Sequence, residues 1–138
     1  MKLLKCLTFA ACVALLPVIT SCAPADEEEL QGYGSMTKEQ MTTAIIGHWV
    51  NKSTSEHWRY QSTGYGVKWD PTEDVQEQEG QKFKWEINAT GLLHSFYQEM
   101  TGSYVTHDPD SPYIIESITA SSMVRKTSGG IRETLTKQ

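Results

Sequence analysis

Six aromatic residues, Trp58, Tyr60, Tyr65, Trp69, Trp85 and Phe96, stand in short runs where apolar and polar residues alternate. Rings of this kind line a pocket for a small apolar or amphipathic molecule, with the polar tips of Tyr and Trp orienting the ligand. The same rings are also what a small domain without disulfides uses to fill its core. The four histidines, His48, His57, His94 and His107, include no pair at i, i+2 or i, i+4, the local spacing by which zinc sites usually announce themselves, so no metal is expected. Asp70-Pro71-Thr72-Glu73-Asp74 and Asp108-Pro109-Asp110 supply hard oxygens but miss the D-x-[DN]-x-[DN]-G spacing of a calcium loop, and they read as solvated acidic loops. No G-x-S-x-G elbow, H-E-x-x-H helix or phosphate-cradling glycine loop is present. Glu86 and Glu99 lack any sign of the unequal environments that acid and base roles need. The chain reads as a non-enzyme without a cofactor.

Cysteine chemistry is confined to the N-terminus. Met1-Lys2-Leu3-Leu4-Lys5 is a short basic start, Cys6 to Ile19 is an almost unbroken apolar run, and Thr20-Ser21 are small residues before Cys22. This is the layout of a signal peptide over residues 1–21. A membrane span needs roughly 18 or more apolar residues, and the run is shorter and broken by Pro17. Ile19-Thr20-Ser21-Cys22 resembles the lipobox of bacterial lipoproteins, which implies cleavage before Cys22 and a diacylglycerol on its thiol, with further acylation of the new amino group by palmitate-like chains. At about 0.8 kcal/mol per buried methylene, several chains make membrane attachment effectively permanent. Residues 23–138 contain no cysteine, so the domain has neither disulfide nor thiol nucleophile. Ala23-Pro24-Ala25-Asp26-Glu27-Glu28-Glu29 opens a solvated tether, residues 22–35. It also resembles the acidic export signal behind the lipidated cysteine of surface lipoproteins in some Gram-negative bacteria, which implies the outer membrane and its exposed face.

The chain has 138 residues, enough for one domain. Removing Lys2 and Lys5 with the leader leaves ten basic against 17 acidic residues, a balance of −7. With no Lys/Arg cluster to neutralise phosphates, nucleic acid is excluded as a partner.

The elements that must position the aromatics lie in residues 36–138. Thr37 followed by Gln40 predicts a capping box, Met41, Ala44 and Ile45 share a helical face, and Gly47 fits a C-terminal stop, so one helix is expected over 38–46. From His48 the period changes to two. Strands are expected near 48–53, 56–61, 65–69, 82–88, 92–100, 103–107, 113–118, 123–127 and 131–136, with loops at Asp70 to Gly80 and Asp108 to Pro112. The clearest strand, Lys82 to Asn88, sets Phe83, Trp85 and Ile87 against Lys82, Lys84 and Glu86. Tight turns without intervening helices imply antiparallel neighbours, hence an all-β fold: a small up-and-down barrel of eight to nine short strands with one N-terminal helix.

Gly47-His48-Trp49, where helix meets first strand, resembles the G-x-W signature of lipocalin barrels. Tyr113 to Thr119, Met123-Val124, the Gly129-Gly130 turn and a strand to Thr136 are similar to the closing hairpins of lipocalin-like domains in bacterial surface lipoproteins. The resemblance implies that Trp49 closes the barrel base under a late arginine, for which Arg125 and Arg132 are candidates. It further implies a surface lipoprotein that holds a small apolar or amphipathic ligand in a shallow barrel. The alternative is an interaction or structural lipoprotein with a filled barrel that contacts a protein or glycan. An open cup needs a cavity lined by aromatics with few charges; a filled barrel needs a packed interior and an exposed apolar patch.

Overall fold

A computed structural model describes residues 36–106 and 112–138; the leader, the tether with Cys22, His107 and Asp108–Asp110 lie outside the described residues. Helix α1 (Lys38–Ile45) begins as its sequence dictates. Thr37 Oγ1 accepts from the Gln40 N–H at 3.2 Å and Gln40 Oε1 accepts from the Thr37 N–H at 3.0 Å. Met41 and Ile45, one turn apart, are buried. The chain leaves the helix at Ile46, one residue before the expected glycine stop, and Gly47 opens the first strand at φ +135°. A Cβ there would lie 2.5 Å from Lys137 Cε, so the glycine makes room for a lysine crossing from the far end of the chain.

Among the described residues nine antiparallel strands follow: β1 (Gly47–Asn51), β2 (Glu56–Tyr60), β3 (Tyr65–Trp69), β4 (Gln81–Asn88), β5 (Gly91–Gln98), β6 (Ser103–Thr106), β7 (Ile114–Ile118), β8 (Ser122–Lys126) and β9 (Arg132–Lys137). They form one sheet in the order β6-β5-β4-β3-β2-β1-β9-β8-β7, in which β1 pairs with β9 as well as β2. The sheet curls. Reciprocal hydrogen bonds between Leu92 and Tyr113, 2.8 and 3.0 Å, tie β5, next to one end of the strand order, to the chain leading into β7 at the other. The fold is thus all-β, a small antiparallel barrel-like sheet with one short helix, as the alternation implies. The loop between β3 and β4 is more ordered than its acidic composition suggests. It holds two 3₁₀ turns, Pro71–Glu73 and Glu77–Glu79, the first started by Asp70 Oδ1 accepting from the Thr72 N–H and by proline at the first helical position.

Residues opposite each other in a ladder share a face, so the registers sort the side chains. Near α1 the interior is apolar: Met41, Ile45, Trp49, Ile87, Leu92, Ile115, Met123 and Leu135 are buried together. A register shift between Ile115 and Ser117 turns both Ile115 and Ile118, three residues apart, toward this core. Trp49 donates from Nε1 to the Ile45 carbonyl at 2.7 Å, and Lys137 Nζ lies 5.0 Å from its ring centroid while donating to the Ala44 carbonyl. Lys137, rather than Arg125 or Arg132, is the cation that covers Trp49. Arg132 instead pairs with Glu116 on the surface.

Candidate functional site

The other half of the interior is aromatic and charged. Adjacent strands set Tyr60, Gly66, Phe83 and Phe96 in one rung, and Trp85 beside His94 in another. Gly66 is obligatory here, because a Cβ would sit 2.4 Å from both the Phe83 ring and the Arg59 carbonyl oxygen. Trp58 packs on Phe83 and His94 with centroids 5.6 and 5.2 Å apart, and Tyr60 meets Phe83 and Trp85 at 5.4 and 5.5 Å. These are edge or tilted contacts of the favourable kind.

Arg125 of β8 lies among these rings and is fully buried. Its guanidinium carbon is 4.4 Å from the Trp58 centroid and 4.2 Å from that of Tyr113, so the cation is sandwiched between two aromatic faces. Nε donates to Glu133 at 2.7 Å and Nη1 to the Tyr60 oxygen at 3.1 Å. Arginine only donates, so the Tyr60 oxygen accepts from it and its own proton is free for His94 Nε2, 2.9 Å away. Burial, reinforced by the charges of Arg125 and Lys68, lowers the His94 pKa well below its ordinary value; the ring is neutral and takes that proton as an acceptor. Burial likewise raises the Tyr60 phenol. The chain Glu133–Arg125–Tyr60–His94 is therefore a fixed polar network. Tyr60, His94 and Arg125 are each at most 6% exposed, which closes them to a reacting molecule. Among the described residues three buried side-chain nitrogens have no partner: Asn51 Nδ2, Trp58 Nε1 and Arg125 Nη2. Lys68, over the Trp58 ring at 5.0 Å, pairs with Glu56 beside the network.

Of the six aromatics expected to face inward, Trp58, Tyr60, Trp85 and Phe96 do so. Tyr65 and Trp69 stand on the outer face, because β3 pairs Tyr65 with Lys84 and Trp69 with His57, both outward-facing; Tyr65 is exposed there, whereas Trp69 is buried against the His48 and His57 rings. On that face His48 Nε2 and His57 Nδ1 are 2.9 Å apart, and both rings lie 5.0 Å from Trp69. The diagonal meeting of residues on paired strands escapes a search for local histidine spacing. Among the described residues no group of three His, Cys, Asp or Glu side chains is arranged to hold a metal ion. Arg59, next to Trp69, donates to both Glu77 carboxylate oxygens from Nε and Nη2, one edge of its guanidinium, which holds the Glu77 carboxyl below its usual range.

Two surface clefts, about 580 and 480 Å³, flank the second 3₁₀ turn and meet at Gln78 and Lys82. Beside them Tyr65, Tyr104 and Tyr97 form a chain of rings with centroids 5.8 and 5.2 Å apart, and Lys84 Nζ lies 4.7 Å from the Tyr104 centroid. Tyr113, Tyr97 and Tyr104 were not among the sequence candidates, and Arg125 was expected only as a cover for Trp49, whereas it lies over Trp58 and Tyr113. The signal for Arg125 was there: two residues from Met123 on the same strand, it shares that residue's face. Comparison with known protein families, curated proteins and solved structures finds no match to this chain.

Proposed function

We propose that the chain is a lipid-tethered, non-enzymatic interaction protein of the bacterial outer-membrane surface, with a filled barrel and a partner on its outer face. The observation that carries this reading is Arg125, a buried cation sandwiched between Trp58 and Tyr113 where an open cup would need empty, uncharged space. Exposed Tyr65 and Met100, which line the outer clefts, supply apolar surface that the core leaves unused. The anchor follows from the lipobox-like Ile19-Thr20-Ser21-Cys22, and the surface location from the acidic tether behind it.

A small amphipathic ligand inside the barrel is the second reading, favoured by one feature. The unpartnered nitrogens of Asn51, Trp58 and Arg125 are all donors, and a ligand acceptor would satisfy them. Site-specific photocrosslinking on the producing cell separates the two. A benzophenone side chain in place of Tyr104 is expected to capture a partner while one in place of Phe96 captures none. Capture of a small molecule from position 96, with nothing from 104, would reverse the assignment.

A further inference from the structure

We infer that the outer groove beside the 3₁₀ turn Glu77–Glu79 binds a neutral, curved polysaccharide chain, a proposal that rests on the filled-barrel reading above and names its partner. Three tyrosines and three glutamines carry it. Tyr65, Tyr97 and Tyr104 pack ring against ring on the outside of the sheet, where Tyr65 is 42% exposed and none belongs to the core cluster. Gln61, Gln78 and Gln98 line the two connected clefts around them. An aromatic face receives the C–H surface of a sugar ring, and an amide offers a donor and an acceptor side by side, matching vicinal hydroxyls. Clefts of this volume fall in the range of about 300–1,000 Å³ that small bound groups occupy.

The local charge favours no ionic partner. Glu77 is neutralised by Arg59, and Lys82 in the clefts together with Lys84 over the Tyr65 and Tyr104 rings offsets Glu79 and Glu99, on a chain that is otherwise strongly acidic. Ring geometry narrows the sugar further. The Tyr65 and Tyr104 planes meet at 65° and those of Tyr97 and Tyr104 at 56°. Tilted rings cannot lie against a flat crystalline fibre, but they follow a chain whose successive sugars turn.

The test is affinity electrophoresis of the mature protein, solubilised in a detergent without a sugar headgroup, through native gels cast with laminarin, amylopectin or xylan. Retardation in at least one of these gels is expected. Tyr65→Ala with Tyr104→Ala should weaken it about tenfold, the loss expected when two contact aromatics are truncated. Gln78→Ala, on an exposed turn outside the core, should also weaken it while leaving thermal unfolding unchanged. Migration unaffected by all three polysaccharides overturns the proposal, as does equal retardation of parent, double variant and Gln78→Ala. Capture of a protein by the crosslinker at position 104 overturns the sugar while sparing the filled barrel; capture of a small molecule from position 96 overturns the filled barrel itself.

Discussion

Glu133→Gln removes one negative charge and little else, since glutamine keeps the shape and an acceptor oxygen for Arg125 Nε. What it leaves is a fully buried guanidinium with no opposite charge at hydrogen-bond distance. Charges about 4 Å apart at an effective dielectric near 20 attract by about 4 kcal/mol. Breaking a buried ion pair from one side costs about 3–5 kcal/mol. The Glu133 side chain is 18% exposed, so water softens the loss, and about 3 kcal/mol is expected. For a domain of this size that lowers Tm by about 12–24 °C. Urea unfolding followed by tryptophan fluorescence reads the change directly, because the guanidinium lies on the Trp58 ring. Replacing both partners, Arg125→Met with Glu133→Leu, removes the charge as well as its counterion and should return stability to within about 1 kcal/mol of the parent. A loss below about 0.5 kcal/mol for Glu133→Gln, or a double variant no better than the single one, would refute the claim that the interior holds a cation dependent on Glu133.

Three further outcomes follow from the same structure. His94 is neutral when folded because burial lowers its pKa, whereas the unfolded chain protonates it near 6.5. Its contribution is full above pH 6.5 and falls by about 1.4 kcal/mol per pH unit below it, until the folded-state pKa is reached. Urea midpoints at pH 7.5 and 5.5 should thus differ more for the parent than for His94→Gln; identical pH slopes would argue against a buried neutral ring. Gly66→Ala places a methyl against the Phe83 ring and the Arg59 carbonyl, and thermal unfolding should register a loss of about 1–3 kcal/mol. Cys22→Ala should abolish incorporation of radiolabelled palmitate and move the chain from the membrane to the soluble fraction; continued labelling would contradict lipidation at that residue.

Strand identity was legible because β4 spells out its faces: Phe83, Trp85 and Ile87 are buried while Lys82, Lys84 and Glu86 are exposed. Glycine and asparagine then marked the turns. The helix was equally plain from Thr37 and Gln40, whose side chains cap its first turn as expected. Which face of β3 points inward was harder to see. Tyr65, Val67 and Trp69 alternate with Gly66 and Lys68, and apolar bulk alone assigns the first set to the core. Register decides otherwise, since Gly66 leaves the room that the Phe83 ring fills and Lys68 reaches across the Trp58 ring to Glu56. The site was less legible still. An arginine inside a barrel runs against composition rules; the resemblance offered Arg125 as a cover for Trp49, and its spacing from Met123 shows its inward face. The His48–His57 and Tyr65–Tyr104 meetings depend on strand pairing, which no local pattern encodes.

The filled interior is the central claim, and native mass spectrometry of the detergent-solubilised mature protein tests it most directly. The expected spectrum contains the chain with its covalent lipid and no other mass, unchanged after incubation with fatty acids. A further mass lost on denaturation would place a small molecule where Arg125 and its aromatic neighbours are packed, and would contradict the account.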